Sequence, residues 1–185
     1  MIHLASNSES RALLLHKFGI DFIQKSPDYD EEQITTAIAK DFVYIASKGK
    51  MEAAVKEFGL EMPLLCADSV IMAADGSILR KAKDVDDARR ILKIQSGRAI
   101  SIISSLHFRT KELLLVDTSA THYHFAEFED EDMEAYLESG LWKGKAGACM
   151  VEGFCKKYIK SVEGYESTAM GLQVEVLLPW LKGLN

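Results

Sequence analysis

The stretch from Leu64 to Ala73, Leu-Leu-Cys-Ala-Asp-Ser-Val-Ile-Met-Ala, is the most apolar run in the chain, and a single carboxylate, Asp68, lies inside it. Its length and the β-branched Val70 and Ile71 suit a central strand covered on both faces. A carboxylate buried there without a partner costs several kcal/mol or takes a large pKa shift. Asp68 therefore requires a metal ion, a cation or a position at the mouth of the sheet. The plainest of these is a structural ion pair, and the most informative is a reaction centre.

The rest of the chain is organised around that strand. Met1 to Ala5 reads as a short strand running into Ser6-Asn7-Ser8-Glu9, where Ser6 and Glu9 have the spacing of a capping box. That spacing predicts a helix through about Phe18, with Leu14 and Phe18 on its buried face and Gly19 closing it. Asp21 to Lys25 reads as a strand. From Asp41 to Phe58, the residues Phe42, Ile45, Ala46, Gly49 and Ala53 recur at helical spacing. Asp75-Gly76 predicts a hairpin returning through Ile78-Leu79. A helix over Val85 to Gln95, strands over Ile100–Phe108 and Leu113–Phe125, and a helix around Met133 to Gly140 follow. A last helix is expected from Ser167 or Thr168 to near Pro179. Alternating strands and helices with hairpins between them predict an α/β domain on a mixed, partly antiparallel sheet. With no repeat or linker in 185 residues, one domain is expected over 1–185.

Charge and motif content exclude several function classes. The formal charge of -6 argues against a nucleic-acid binder, although a few cations in one place can still hold a small anion. No apolar segment approaches the roughly 18 residues of a membrane span, so neither membrane nor nucleic acid is an expected partner. The first residues lack a signal peptide's pattern, which leaves cytoplasm as the expected location. Cys66, Cys149 and Cys155 form no C-x-x-C pair, and neither a zinc ribbon nor a disulfide framework is expected from them. Cys66 reads as a buried thiol. His122 and His124 lack a third metal ligand at suitable spacing. There is no Walker loop, H-E-x-x-H, G-x-S-x-G or G-x-G-x-x-G.

Four segments carry chemistry. At the strand-to-helix turn, the helix N–H groups, the hydroxyls of Ser6, Ser8 and Ser10 and the guanidinium of Arg11 suit a phosphate. The bland alternative is a capped helix with a solvent-facing Arg11. Asp68 is the second. The third is Asp28-Tyr29-Asp30-Glu31-Glu32, a carboxylate cluster able to hold Mg²⁺ or Mn²⁺, though such clusters are commonly only solvated. The fourth comprises Lys81, Lys83 and the helix lysine Lys48. If they share a cleft they can neutralise a polyphosphate, and a lysine at the edge of an apolar stripe otherwise snorkels to water.

Taken in order, these segments resemble the Maf family of septum-formation proteins over nearly the whole chain. Ala5-Ser6-Asn7-Ser8-Glu9-Ser10-Arg11 resembles A-S-x-S-P-R-R, and Asp28-Tyr29-Asp30-Glu31 is similar to P-D-x-D-E. Ile45 to Lys50 is similar to L-A-x-x-K-A, read here as placing Lys48 on the family's helix lysine. Cys66-Ala67-Asp68-Ser69 resembles G-A-D-T, and Ile78 to Asp84 resembles I-L-G-K-P-x-D. Lys145-Ala146-Gly147 matches K-A-G, and Gly171-Leu172 matches the start of G-L-P.

The resemblance implies a fold with a deep central cleft, like that of inosine triphosphatases, and a homodimer. It implies metal-dependent hydrolysis, with Mg²⁺ or Mn²⁺, of a pyrimidine or modified nucleoside triphosphate to monophosphate and pyrophosphate. A role in nucleotide-pool sanitation and cell-division arrest comes with it. On this reading Glu31 and Asp68 hold the metal, and Asp68 or a metal-bound hydroxide activates water, with the role of Asp68 as base, ligand or both left open. Lys48, Lys81 and Arg11 clamp phosphates, while Ser6, Ser8, Lys83 and Lys145 also contact substrate. Ser10, Ser69 and Glu152 stand where the family selects its base. The chain departs from the pattern at Glu9-Ser10, Ser69, Ala82, Glu152 and Gln173. An inosine-triphosphate-type or 7-methyl-GTP pyrophosphatase is the alternative enzyme, and a non-catalytic nucleotide- or protein-binding regulator of septum formation is the alternative of another class.

Overall fold

The computed structural model describes residues 1–181. In chain order its elements are β1 (Ile2–Leu4), α1 (Glu9–Lys17), β2 (Phe22–Gln24), α2 (Ala39–Phe58), β3 (Leu64–Ala73), β4 (Ile78–Leu79), α3 (Val85–Gln95), β5 (Ala99–Arg109), β6 (Leu114–Phe125), α4 (Asp130–Ser139), a 3-10 turn (Phe154–Tyr158), β7 (Ile159–Glu163), α5 (Glu166–Ala169) and α6 (Val174–Leu181). The strands form one mixed sheet in the order β2-β1-β3-β5-β6-β7, with β4 pairing β3 off that path. β1 runs parallel to β2 and β3, whereas β4 is antiparallel to β3 and β7 to β6. The mixed α/β class expected from the sequence is the class observed. Among the described residues no helix is long and apolar enough to cross a membrane.

The chain divides into two compact units. The first comprises Met1–Ser69, Ile103–Ala120 and the described residues from Tyr165 onward; the second comprises Val70–Ile102 and Thr121–Gly164.

In the first unit, β3 is the partition. Side chains alternate across a strand, so neighbouring residues enter different cores. Leu65 and Ala67 join Leu14 and Leu15 of α1, Leu106 and Phe108 of β5, and Leu172, Val174 and Leu177. Leu64 and Cys66 face the other way, onto Met51 and Ala54 of α2 and Ala5. Each fully buried aliphatic side chain contributes about 1.5–3 kcal/mol, so this double coverage fixes α1 and α2 on opposite faces of β3. Cys66 is a free, buried thiol, pushed up to about 12 by burial.

Three local expectations for this unit are corrected. Helix α1 begins at Glu9, and its N-cap is Ser8, whose Oγ accepts the Arg11 N–H at 3.4 Å. Ser6 is not the cap; its Oγ accepts from the Ser8 N–H at 3.3 Å and from the Arg11 guanidinium at 2.9 Å. The buried stripe of α2 runs through Phe42, Val43, Ala46, Ser47, Met51 and Ala54, leaving Ile45 41% exposed. The expected last helix is two short ones, because Gly171, at φ +100°, breaks the chain between α5 and α6.

In the second unit α3 packs against α4, and Ala88, Ile91, Leu92, Met133 and Leu137 of these helices are buried. Phe128 is the hub of an aromatic group, its ring centroid lying 4.8–5.6 Å from those of Tyr158, Phe154 and Phe125. Two features here were not expected. The edge strand β7 carries no apolar alternation to announce it, with four of its five residues exposed. Cys149 and Cys155 form a disulfide closing a six-residue separation, a spacing that matches no motif.

His107 of β5 shows how the first core treats polar groups. It is 3% exposed, and its Nδ1 lies 3.0 Å from Ser47 Oγ. Burial, with Lys48 adding repulsion, lowers its pKa to about 4 from the ordinary 6.5. In that window the unfolded chain binds the proton that the native imidazole refuses, so stability falls as pH drops from 6.5 towards 4. The loss is roughly 3 kcal/mol. Urea unfolding followed across this range should show the slope in the wild type and a flattened one in His107→Gln.

Candidate active site

The alternation that splits the core also aims two adjacent polar residues at different partners. Asp68 points to the face of Leu64 and Cys66, beneath α2; Ser69 points to the face of Leu65 and Ala67, beside α1. Asp68 is 6% exposed, and its Oδ1 accepts a hydrogen bond from Lys50 Nζ at 2.6 Å. Glu31, from the loop before α2, pairs with the same ammonium. Two carboxylates from segments far apart in sequence thus converge on one cationic point. Burial holds the Asp68 pKa above the usual carboxylate range, with Lys50 opposing it and Glu31 reinforcing it.

On the other face Arg11 is 8% exposed, which removes the solvent-facing reading. Its guanidinium donates to Gly171 O at 2.9 Å, Ser6 Oγ at 2.9 Å and Ser69 Oγ at 3.3 Å. These are all neutral oxygens, so no first-contact carboxylate cancels its charge among these three bonds. Burial lowers its pKa, and Asp68 and Glu31 raise it. The hydroxyls run in one direction. Ser104 donates to Thr168 O at 2.8 Å, so Ser69, 2.8 Å from Ser104 Oγ, is the donor to it and is left to accept from Arg11. Gln24 Nε2 donates to Ser6 O at 2.8 Å and steadies the turn. Gly171 needs both its φ and its missing side chain, since a Cβ there would lie 3.1 Å from Ser69 Oγ and 3.4 Å from Arg11 Nε.

The second unit has its own cationic corner. Lys81 and Ala146 form an antiparallel bridge, and Gly147 N–H donates to Arg80 O at 3.1 Å, which brings Lys81 and Lys145 onto adjoining backbone. Buried Gln95 fastens that loop by donating to Gly147 O at 2.6 Å.

The family model for Maf-like proteins matches residues 1–184. The chain belongs to the Maf family. Relatives named nucleoside triphosphate pyrophosphatase occur in Nitratiruptor sp., 55% identical over 100% of both chains, and in Helicobacter pylori strain Shi470, 39% identical over 97% of this chain and 94% of that one. A third, in Campylobacter jejuni, is 35% identical over 98% of this chain and 100% of that one. The structure of the Staphylococcus aureus Ham1 protein superposes with a TM-score of 0.55, covering 100% of this chain and 99% of that chain. At 15% identity that likeness is one of fold.

Against the family pattern, the structure brings together Ser6, Arg11, Glu31, Asp68 and Ser69 in the first unit, and Lys81 with Lys145 in the second. Ser8 is the cap of α1, and Ser10 is half-buried in its first turn. Lys83 lies exposed before α3, its backbone N–H donating to Asp87 at 3.1 Å. Glu152 is exposed in the loop closed by the disulfide.

Lys48 lies apart from the residues gathered around Asp68. Its side chain is 53% exposed and faces Glu52 at 3.8 Å, whereas Lys50, at 16%, reaches both carboxylates. The reason is the helical period. Lys50 follows Val43, Ala46 and Ser47 by seven, four and three residues and shares their buried face, while Lys48 is turned roughly 100° from Ser47. Sliding L-A-x-x-K-A by one residue, onto Ala46 to Met51, puts Lys50 on the family's lysine. Lys50→Met should destabilise the fold by about 3 kcal/mol, because it strands a buried carboxylate. Lys48→Met should stay within about 0.5 kcal/mol. Denaturant titration of the two variants decides between the lysines.

Proposed function

We propose that this chain is a nucleoside triphosphate pyrophosphatase, hydrolysing a nucleotide to its monophosphate and pyrophosphate with Mg²⁺ or Mn²⁺. The observation that carries the reading is the buried Asp68, paired through Lys50 to Glu31, one residue away from the Ser69 hydroxyl that meets Arg11. The names of the full-length relatives support the same reaction class.

The donor set fits the metal. Among the described residues no three His, Cys, Asp or Glu side chains gather as a metal cage. A hard cation of this size needs none, since one or two carboxylates with water and phosphate oxygens complete its shell. Glu31 and Asp68 would hold it, and the ammonium of Lys50 already marks the point at which both aim. Such a cation polarises a phosphoryl oxygen and lowers the pKa of water.

The chain's own residues supply the rest. Asp68, with its raised pKa, accepts a proton from the attacking water. Lys50, once exchanged from the carboxylates, carries a positive charge to the phosphate oxygens. Arg11 offers a fixed guanidinium, oriented by Ser6, Ser69 and Gly171, to charge developing on the transferred phosphoryl group. The N–H groups that open α1 add donors beside it. Lys81 and Lys145 are assigned to anion binding as well. A pyrimidine or modified base, with Ser10, Ser69 and Glu152 in its selection, is carried over from the family resemblance. So are a homodimer and a role in nucleotide-pool sanitation or cell-division arrest.

The test is pyrophosphate release from a panel of standard and modified nucleoside triphosphates, with metal and with chelator. Metal-dependent release is expected, lowered about 10²–10⁴-fold in Asp68→Asn. A folded wild type that binds a nucleotide and releases nothing would leave the regulator reading in its place.

A further inference from the structure

Gly49 sits in the interior of the 20-residue helix α2, and nothing in its backbone requires a glycine. It is absent from the residues of positive φ, so an alanine could take the same helical conformation. A glycine there costs about 1 kcal/mol relative to alanine, and its surroundings show what it makes room for. The reason is the ring of Tyr29. A Cβ built on Gly49 would overlap Tyr29 Cζ, Oη and Cε2, so the ring lies directly on the helix backbone.

The two residues in contact stand beside the two that form the ion pair. Tyr29 precedes Glu31 by two residues, and Gly49 immediately precedes Lys50. The loop between is braced internally. Asp30 Oδ1 accepts from Glu32 N–H at 2.8 Å, Gln33 Nε2 donates to Asp30 O at 2.7 Å, and Ile34 N–H donates to Glu31 O at 3.1 Å. A turn tied to itself in this way moves as one piece, and its position depends on where it is fastened. Besides the Glu31–Lys50 pair, which must open if Lys50 exchanges to phosphate, the Tyr29 ring in the groove that Gly49 leaves fastens the loop on α2.

We infer that Tyr29 and Gly49 are positioning residues, a ring-and-groove lock that holds the Glu31 loop against α2 so that Glu31 stays opposite Asp68 when Lys50 leaves. The inference rests on the proposed reaction for its consequence, but the lock itself is a property of the fold. It also explains why the loop can present a charged, half-exposed Glu31 to a fixed point without a strand or helix of its own. The ring's contact is steric, and Phe serves as well as Tyr.

The experiment combines hydrogen exchange with a Mn²⁺ titration on four full-length variants: Gly49→Ala, Tyr29→Ala, Tyr29→Phe and the double Gly49→Ala/Tyr29→Ala. Exchange over residues 28–34 should rise in Gly49→Ala and Tyr29→Ala while α2 keeps its protection. The Mn²⁺ concentration for half-activation should rise roughly tenfold or more in both, as for other groups that orient a ligand, with the rate at saturating Mn²⁺ retained. Tyr29→Phe should behave as wild type. The double variant should be no worse than Tyr29→Ala alone, because both changes break one contact. Wild-type exchange and wild-type Mn²⁺ dependence in Gly49→Ala, or multiplying defects in the double variant, would overturn the lock. Should Gly49→Ala fail to fold, Tyr29→Ala and Tyr29→Phe decide alone. A wild type without turnover defeats the proposed reaction instead, and the exchange arm still judges the lock.

Discussion

A carboxylate ion in the middle of a covered strand is the constraint around which the first unit is arranged. Asp68 has too little access to water to be solvated, and its partner has to come from another element. That partner, Lys50, is delivered by the packing of α2, because the next residue, Met51, and Ala54 pack against Leu64 and Cys66 on the same face of the same strand. Core and site are therefore one arrangement. A shift of α2 that damaged the hydrophobic contact would also separate the ion pair, and loss of the ion pair would leave a charge stranded in the core.

The strand's two-residue period then gives two chemistries to adjacent positions. Asp68 joins a charged group with Glu31 and Lys50; Ser69 joins a directed series of neutral donors ending at Thr168 O. Arg11 is anchored by that second group and yet is close enough to the first for Asp68 and Glu31 to act on its pKa. Two glycines make the approach tight for different reasons. Gly171 supplies a left-handed turn whose carbonyl meets Arg11, while Gly49 in a regular helix supplies only room.

Much of this was legible in the residues. The apolar run gave β3 with its observed ends, and the residues from Val85 to Gln95 with Gly97 behind them gave α3. The opening turn, Asp28–Glu31 and Cys66–Ser69 pointed to the residues that the fold gathers, and the family resemblance placed them in one protein. What stayed hidden depended on tertiary partners. The choice between Lys48 and Lys50 turns on which side of α2 is covered, and Ile45 suggested a stripe about one residue out of phase. Gly171 read as a motif residue inside a helix, since its role appears only when Arg11 arrives from 160 residues away. β7 is mostly exposed and carries no pattern, and the Cys149–Cys155 bond joins residues in a spacing shared with countless unpaired cysteines.

The most direct measurement is a crystal structure of the protein with Mn²⁺ and a non-hydrolysable α,β-methylene nucleoside triphosphate, with the metal located by its anomalous signal. The ion is expected on Asp68 and Glu31, with the Lys50 ammonium moved from between them to a phosphate oxygen. An ion bound elsewhere, with Lys50 still bridging the two carboxylates, would contradict this assignment.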